Sequence, residues 1–381
     1  MRTRGAVLTE MGRRAPYASS RPLEIAELEL APPGLGEMLV RVRAAGLCHS
    51  DLSVIDGSRP RVMPMVLGHE AAGEVVELGP PSAGSAVHTE DFAPGDHVVL
   101  SFVPTCGDCP ECRGGRAALC EPGAVANAAG TLLAGERRWG ELRGEALHHH
   151  LGVSAFAEHI VVSARSAVRM PDSVPFEIAA LFGCAVLTGV GAVTNSAGVQ
   201  AGQSVAVFGL GGVGLAALLG ARLAGASPLV AVDRVPAKLE LARELGATDT
   251  VLAGADAVEQ VKAATGGGPD HAVETVGSEE VLAEAYAATR RGGTTVTVGL
   301  PHPERMLSIP AVSLVTEERT LKGSYLGSCN PLVDVPRFVD LYLDGRLPVE
   351  RLLTHRLTLE EINEGFDRLA SGECVRQAVV F

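Results

Sequence analysis

Four cysteines fall within fifteen residues in the stretch CGDCPECRGGRAALC (106–120). The spacing Cys106-x2-Cys109-x2-Cys112-x7-Cys120 brings four thiolates to one loop. Four thiolates close a tetrahedral zinc shell with no open position, which marks a structural metal rather than a reacting one. An iron–sulfur cluster also takes four thiolates and stays open as an alternative on these residues alone. The other cysteines, Cys48, Cys184, Cys329 and Cys374, are scattered. Cys48 stands in GLCHSD (46–51), where a nucleophile, a metal ligand and a buried thiol are all admissible. Free cysteine is among the most buried residue types, so the hexapeptide alone decides nothing.

A second pattern lies at 205–214, VAVFGLGGVG: an apolar run entering Gly209-x-Gly211-x-x-Gly214, with Gly212 and Val213 inside the turn. Glycines here permit a tight turn, close approach of the backbone to a pyrophosphate, and a helix N-terminus facing the phosphates. The run LVAVD ends on Asp233, nineteen residues past Gly214. That acid suits the ribose hydroxyls of NAD and repels the extra phosphate of NADP, although Arg234 beside it is able to meet a phosphate.

These residues need a scaffold, and the pattern of the chain supplies one. Residues 1–185 carry short β-like runs broken by Gly and Pro, such as MLVRVRAAG (38–46) and DHVVLSFV (96–103), which predicts a barrel-like β domain holding the four-cysteine lobe (104–121). Residues 186–326 alternate apolar strands with helical stretches, which predicts a doubly wound parallel sheet of α/β class. The tail, 327–381, is expected to return to the first domain. At 381 residues, two domains are the default.

Net charge is −13 and no Lys/Arg cluster is large enough for a nucleic-acid footprint. The longest apolar stretch, from Gly209, is broken by Arg222 and is too short to span a bilayer. The N-terminal MRTRGAVLTEMGRR has no sustained apolar core, so no signal peptide and a cytoplasmic location are expected. In a reducing compartment the eight cysteines are not expected to form disulfides.

With GLCHSD, GHEAAGEVVELG, the four-cysteine lobe, GCAVLTGVG and VFGLGGVG in this order, the chain resembles the zinc-dependent alcohol dehydrogenases of the medium-chain dehydrogenase/reductase superfamily. The resemblance runs nearly end to end and implies a GroES-like catalytic domain and a Rossmann NAD domain. It also implies two zinc ions per chain. Cys48, His69 and Cys184 would bind the catalytic one and the lobe the structural one. Glu70 would be a transient ligand, and Asp51 would orient His69, a role with its own physical logic. Without the family, Glu70 reads as a buried carboxylate paired with an arginine and Asp51 as a turn or cap residue.

The same resemblance makes Ser50 the acceptor of the alcohol proton. It makes His49 and Arg376 pyrophosphate contacts, Lys238 a contact near the adenosine ribose and Thr188 a neighbour of the nicotinamide. Phe102 and His150 would line the substrate pocket. A relay histidine common in relatives is replaced by Ser53. Of the HisHisHis triplet at 148–150, adjacent members cannot all face one ion in an extended segment. The stretch GTLLAGERRWGELRGEALHHHLGVSAF resembles the long loop of the liver-type branch and implies a homodimer. The expected activity is oxidation of a primary, aromatic or medium-chain alcohol. A thiol–formaldehyde adduct other than that of glutathione is the enzymatic alternative, because EPGA (121–124) lacks the basic residue of the glutathione type. A non-catalytic NAD-binding scaffold or redox sensor is the alternative of another class, and it has no need of an open metal site.

Overall fold

The computed structural model describes residues 1–81 and 89–381. The chain forms two compact units. The first contains Met1–Cys184, Asn330–Val339 and Leu353–Phe381; the second contains Ala185–Cys329 and Asp340–Leu352.

The first unit is built on a seven-stranded sheet and a four-stranded sheet. In the larger sheet Glu37–Gly46 is central, flanked by Glu70–Leu78 and Arg376–Val380, with His159–Ser163 also paired to it. Near-continuous burial along these strands places Met38, Val40, Val42, Val75, Ile160 and Val162 in one apolar core with Phe156 and Phe366. The strand Arg376–Val380 pairs antiparallel with Glu37–Gly46, so the C-terminal segment lies beside the residues leading into Cys48. Asn363, fully buried on the helix Ile362–Ser371, fastens this return. Its Oδ1 accepts from the Leu23 amide at 3.2 Å and its Nδ2 donates to the Leu23 carbonyl at 3.0 Å.

The second unit has a six-stranded parallel sheet in the order Asp249–Leu252, Leu229–Asp233, Val205–Phe208, His271–Glu274, Thr294–Thr297, Thr320–Gly323. The order reverses between Val205–Phe208 and His271–Glu274, the crevice where open α/β sheets take their ligands. All four residues of Val205–Phe208 are buried, as a strand covered by helices on both faces requires.

Two expectations need correction. The tail does not return as a whole: 340–352 belongs to the second unit, where Leu347, Val349 and Leu352 are fully buried. The turn Val349–Leu352 packs there on the helix Gly212–Leu223. Among the described residues, the longest apolar helix is also not the one after Gly209. It is Phe176–Ala197, 22 residues at a mean hydropathy of 1.9, long enough to cross a bilayer. With 89% of its apolar window buried inside the protein, it is a core helix.

Asn363→Ala leaves the Leu23 N–H and C=O buried without partners. At about 1–3 kcal/mol for each orphaned group, a loss of about 2–4 kcal/mol is expected. Urea unfolding followed by circular dichroism reads it as a lower midpoint.

Candidate active site and metal centres

Cys48 caps the helix His49–Ile55. Its backbone is extended, its Sγ accepts from the Asp51 amide, and Asp51 Oδ2 accepts from the Cys48 amide at 3.2 Å. This reciprocal cap fixes both side chains from one turn. His69 enters from the segment before the strand Glu70–Leu78. Gly68, just ahead of it, has φ +94°, and a Cβ there would lie 2.8 Å from Phe156. Cys184 lies on a π-helical turn, Phe182–Val186, inside the long apolar helix. Such bulges often sit at functional sites because they re-aim one side chain. Gly183 lets this turn reach the neighbouring strand, since a Cβ would stand 2.2 Å from the Leu100 carbonyl.

The three segments bring one donor atom each from Cys48, His69, Glu70 and Cys184 within 4.8 Å of one another, all buried. A tetrahedral zinc shell holds its donors roughly 3.5 Å apart, so two thiols and an imidazole here fit zinc with a position to spare. Asp51 Oδ1 lies 2.9 Å from His69 Nδ1, which leaves Nε2 for a metal. Burial opposes the charging of both groups, yet their mutual attraction prevails: Asp51 lies below the usual carboxylate range and His69 well above the usual imidazole range. Cys48 is held well below the ordinary thiol range, first by its hydrogen bond with Cys184 and, against burial, by Arg376 and His69.

Glu70 meets the Arg376 guanidinium at 2.9 Å, and the same Nη1 donates to the Leu47 carbonyl at 3.1 Å. Gly46 lies between the two strands, paired with Glu70 on one side and with Ala378 on the other. A Cβ on Gly46 would stand 2.5 Å from Glu70 Oε2, so its absence gives the carboxylate its space. Burial pushes Glu70 up to about 7 even against Arg376.

In the lobe, the four sulfurs of Cys106, Cys109, Cys112 and Cys120 also gather within 4.8 Å. Backbone amides point at them: Cys109 N to Cys106 Sγ at 3.2 Å, Cys106 N to Cys120 Sγ at 3.1 Å, and Gly123 N to Cys120 Sγ at 3.4 Å. Amide donors of this kind stabilise thiolates, and the Cys112 amide leads in bringing Cys109 down to about 7.

In the second unit, Gly209 turns the chain with φ +90°, and Gly211 precedes the helix Gly212–Leu223. Gly214 packs so closely that a Cβ would stand 1.8 Å from the Gly209 carbonyl. At Gly211 nothing lies within 4 Å of a Cβ position, leaving an open cradle at the helix N-terminus. Asp233 ends its strand beside this turn. Its Oδ2 accepts from the Leu210 amide at 2.6 Å and its Oδ1 from the Val235 amide at 2.8 Å.

Comparison with known proteins fits this geometry. Residues 34–172 match the alcohol dehydrogenase GroES-like domain and residues 212–343 the zinc-binding dehydrogenase domain. The chain is 38% identical over its whole length to the NDMA-dependent alcohol dehydrogenase of Amycolatopsis methanolica, covering 99% of it. It is 34% identical to the S-(hydroxymethyl)glutathione dehydrogenase of Paracoccus denitrificans, with both chains covered in full. Benzyl alcohol dehydrogenase from Acinetobacter calcoaceticus superposes with a TM-score of 0.90 at 31% identity, over 100% of this chain and 99% of that one. The chain belongs to the zinc-dependent alcohol dehydrogenase family.

As an oxidoreductase of this family, the chain shows where each expected residue stands. Cys48, His69, Glu70 and Cys184 converge, and Asp51 is both a cap residue and the partner of His69. Glu70 likewise satisfies both of its readings, beside the metal ligands and paired with an arginine. Phe102 meets the His69 ring edge-on at 5.4 Å. Ser50 is half-buried on the first turn after Cys48, and His49 is exposed beside it. Ser53 donates to the His49 carbonyl at 2.9 Å. Thr188 and Lys238 are buried and Arg234 is exposed. Cys329 and Cys374 are buried and belong to neither thiol cluster. His150 is buried with its Nε2 3.3 Å from Asp51 Oδ1.

Thr275 is a residue the sequence reading missed. It follows the strand His271–Glu274, and its hydroxyl lies 3.0 Å from the Gly209 carbonyl and 3.2 Å from that of Phe208. It therefore clamps the glycine turn from the neighbouring strand end. A threonine after a buried strand gives no such signal by itself; only the parallel pairing of the two strands supplies it. Thr275→Val, of equal size but without the hydroxyl, is expected to weaken NAD binding about three- to tenfold, about 1 kcal/mol for a lost hydrogen bond. Thr275→Ser should restore it. Nucleotide titration by fluorescence checks both.

Proposed function

We propose that this dehydrogenase catalyses the reversible, NAD-dependent oxidation of a primary alcohol, aromatic or medium-chain, to its aldehyde. The observation that carries the reading is the buried convergence of Cys48, His69 and Cys184, three ligands that leave one position open. The glycine cradle beside Asp233 supports a dinucleotide, and the lobe's four thiols support a second zinc ion in each chain. When bound, zinc lowers the pKa of an alcohol hydroxyl and oxidised NAD accepts hydride.

The chain's own residues then have separate tasks. Cys48, His69 and Cys184 hold the catalytic metal, with Asp51 fixing the tautomer and direction of His69. Ser50 accepts the alcohol proton as the aldehyde forms. Phe102 supplies an apolar wall against His69. With Ser53 turned onto a helix carbonyl, the proton leaves Ser50 to solvent rather than through residue 53. The relative named benzyl alcohol dehydrogenase favours an aromatic substrate.

A thiol–formaldehyde adduct is the second reading, favoured by the relative named S-(hydroxymethyl)glutathione dehydrogenase. The helix after Cys120 opens on Glu121 with no basic residue in its first turn, which disfavours a carboxylate-bearing thiol such as glutathione. A substrate panel run with and without formaldehyde and several thiols separates the two readings.

A homodimer fits the edge strand Thr320–Gly323, whose outer side has no partner strand among the described residues, and the exposed Met306, Val312 and Val315 near it in sequence. The eight free cysteines fit a reducing, cytoplasmic setting.

Cys48→Ala is expected to bring alcohol turnover to the detection limit and metal content from two zinc per chain to one, with NAD affinity unchanged. Atomic absorption and nucleotide titration read these outcomes. Asp233→Gly removes the carboxylate that repels a 2′-phosphate. The ratio of kcat/KM for NAD over NADP should fall at least about tenfold, which corresponds to about 1.4 kcal/mol.

A further inference from the structure

Asp51 is expected to serve one histidine, yet the structure gives it two. His150 is 1% exposed, and its Nε2 lies 3.3 Å from Asp51 Oδ1, the oxygen that also meets His69 Nδ1 at 2.9 Å. The two imidazole rings stand 5.8 Å apart with their planes at 70°. The other carboxylate oxygen, Oδ2, takes the Cys48 amide. A fully buried carboxylate therefore has three nitrogens against it: a metal ligand's ring nitrogen, another ligand's backbone amide, and His150 Nε2 in a close polar contact.

The backbone holds His150 in this place. Its amide donates to Ser154 Oγ at 3.0 Å, and its carbonyl accepts from the Val153 and Ser154 amides at 3.0 and 3.1 Å. The turn that achieves this passes through the left-handed region at Leu151 (φ 52°), Gly152 (φ 66°) and Ser154 (φ 57°). Two of these residues are not glycine, and such conformations persist only where the surroundings over-determine them. Of the two ring nitrogens it is Nε2 that faces the carboxylate, and an ionised carboxylate only accepts. A proton carried on Nε2 complements that oxygen.

On the reading that Cys48, His69 and Cys184 hold the catalytic zinc, we infer that His150 is a positioning residue for that metal, holding Asp51 in the orientation that keeps His69 aimed. This differs from lining the substrate pocket, because the nitrogen concerned faces Asp51. Loss of a partner behind a metal-ligating histidine typically costs 10–100-fold in metal affinity. His150 stands one bond further out, and its contact is the longer of the two imidazole contacts on Asp51, so a smaller effect is expected.

The test follows zinc release from the purified holoenzyme into excess 4-(2-pyridylazo)resorcinol. Cys48→Ala identifies which release phase belongs to the catalytic ion, and the four-cysteine phase serves as internal control. His150→Phe, with His150→Leu as a second variant lacking the donor, should release the catalytic zinc about three- to tenfold faster than wild type. His150→Gln, which keeps an N–H, should stay within about twofold of it. The lobe phase and thermal midpoint should not change. Release at the wild-type rate or slower in both donor-less variants overturns the inference. So does a His150→Gln variant as fast as His150→Phe, because packing and not the donor would then be the cause. If wild type has no release phase that Cys48→Ala removes, the catalytic-zinc reading itself fails and takes this inference with it.

Discussion

Cys48, Asp51, Glu70 and Cys184 are all buried, and an interior of that kind tolerates negative charge only where something positive answers it. Arg376 and His69 are the protein's own answer. The guanidinium lies against Glu70 and is held charged by that carboxylate and by both thiols, against its own burial. Two thiolates with one neutral imidazole match the charge of a divalent ion, and this arithmetic explains why a metal suits the cluster better than a nucleophilic role for Cys48. A lone reactive thiol would need one cationic neighbour and some exposure. Cys48 has a second thiol, a histidine and two carboxylates around it, and is 6% exposed.

Meeting that electrostatic demand dictates much of the local backbone. The donors come from a helix cap, a strand start and a π-turn, which converge only if backbones approach closely. Gly46, Gly68 and Gly183 supply those approaches, each at a place where a Cβ would strike Glu70, Phe156 or the Leu100 carbonyl. The C-terminal strand is part of the same solution, because its antiparallel pairing of Ala378 with Gly46, which Asn363 helps to fasten, delivers Arg376 to Glu70. The first unit therefore needs its last residues to complete the charge balance around its first cysteine.

Much of this was legible in the sequence, and the parts that were not share a cause. Residues whose role follows from local spacing could be read directly: the four-cysteine lobe, the glycine turn and the parallel strands around it. Cys48, His69 and Cys184 lie far apart in the chain, and their grouping came from resemblance rather than from spacing. The contacts that escaped are those set by tertiary packing. Thr275 reaches Gly209 only because two strands lie side by side. The division of the tail depends on where Leu347 and Val349 find an apolar surface. His150 looked like a pocket residue by position, and its direction is fixed by a left-handed turn that its neighbours do not announce.

The two binding centres use the same device at different distances from the reaction. At the metal, Asp51 is set by a reciprocal cap with Cys48 before it orients His69. At the glycine turn, Asp233 accepts the Leu210 amide while Thr275 takes hold of the Gly209 carbonyl, so both sides of one peptide unit are restrained. In each case a short polar side chain fixes backbone as well as a functional group, and mobility is removed before a ligand arrives. Preorganisation of this kind lowers the ordering cost of binding, which otherwise subtracts from affinity. It also explains why polar residues with no direct part in hydride transfer are buried so completely. Ser53 marks the contrast. Its hydroxyl is spent on its own helix, so this position offers structure where a relay group would offer a proton path.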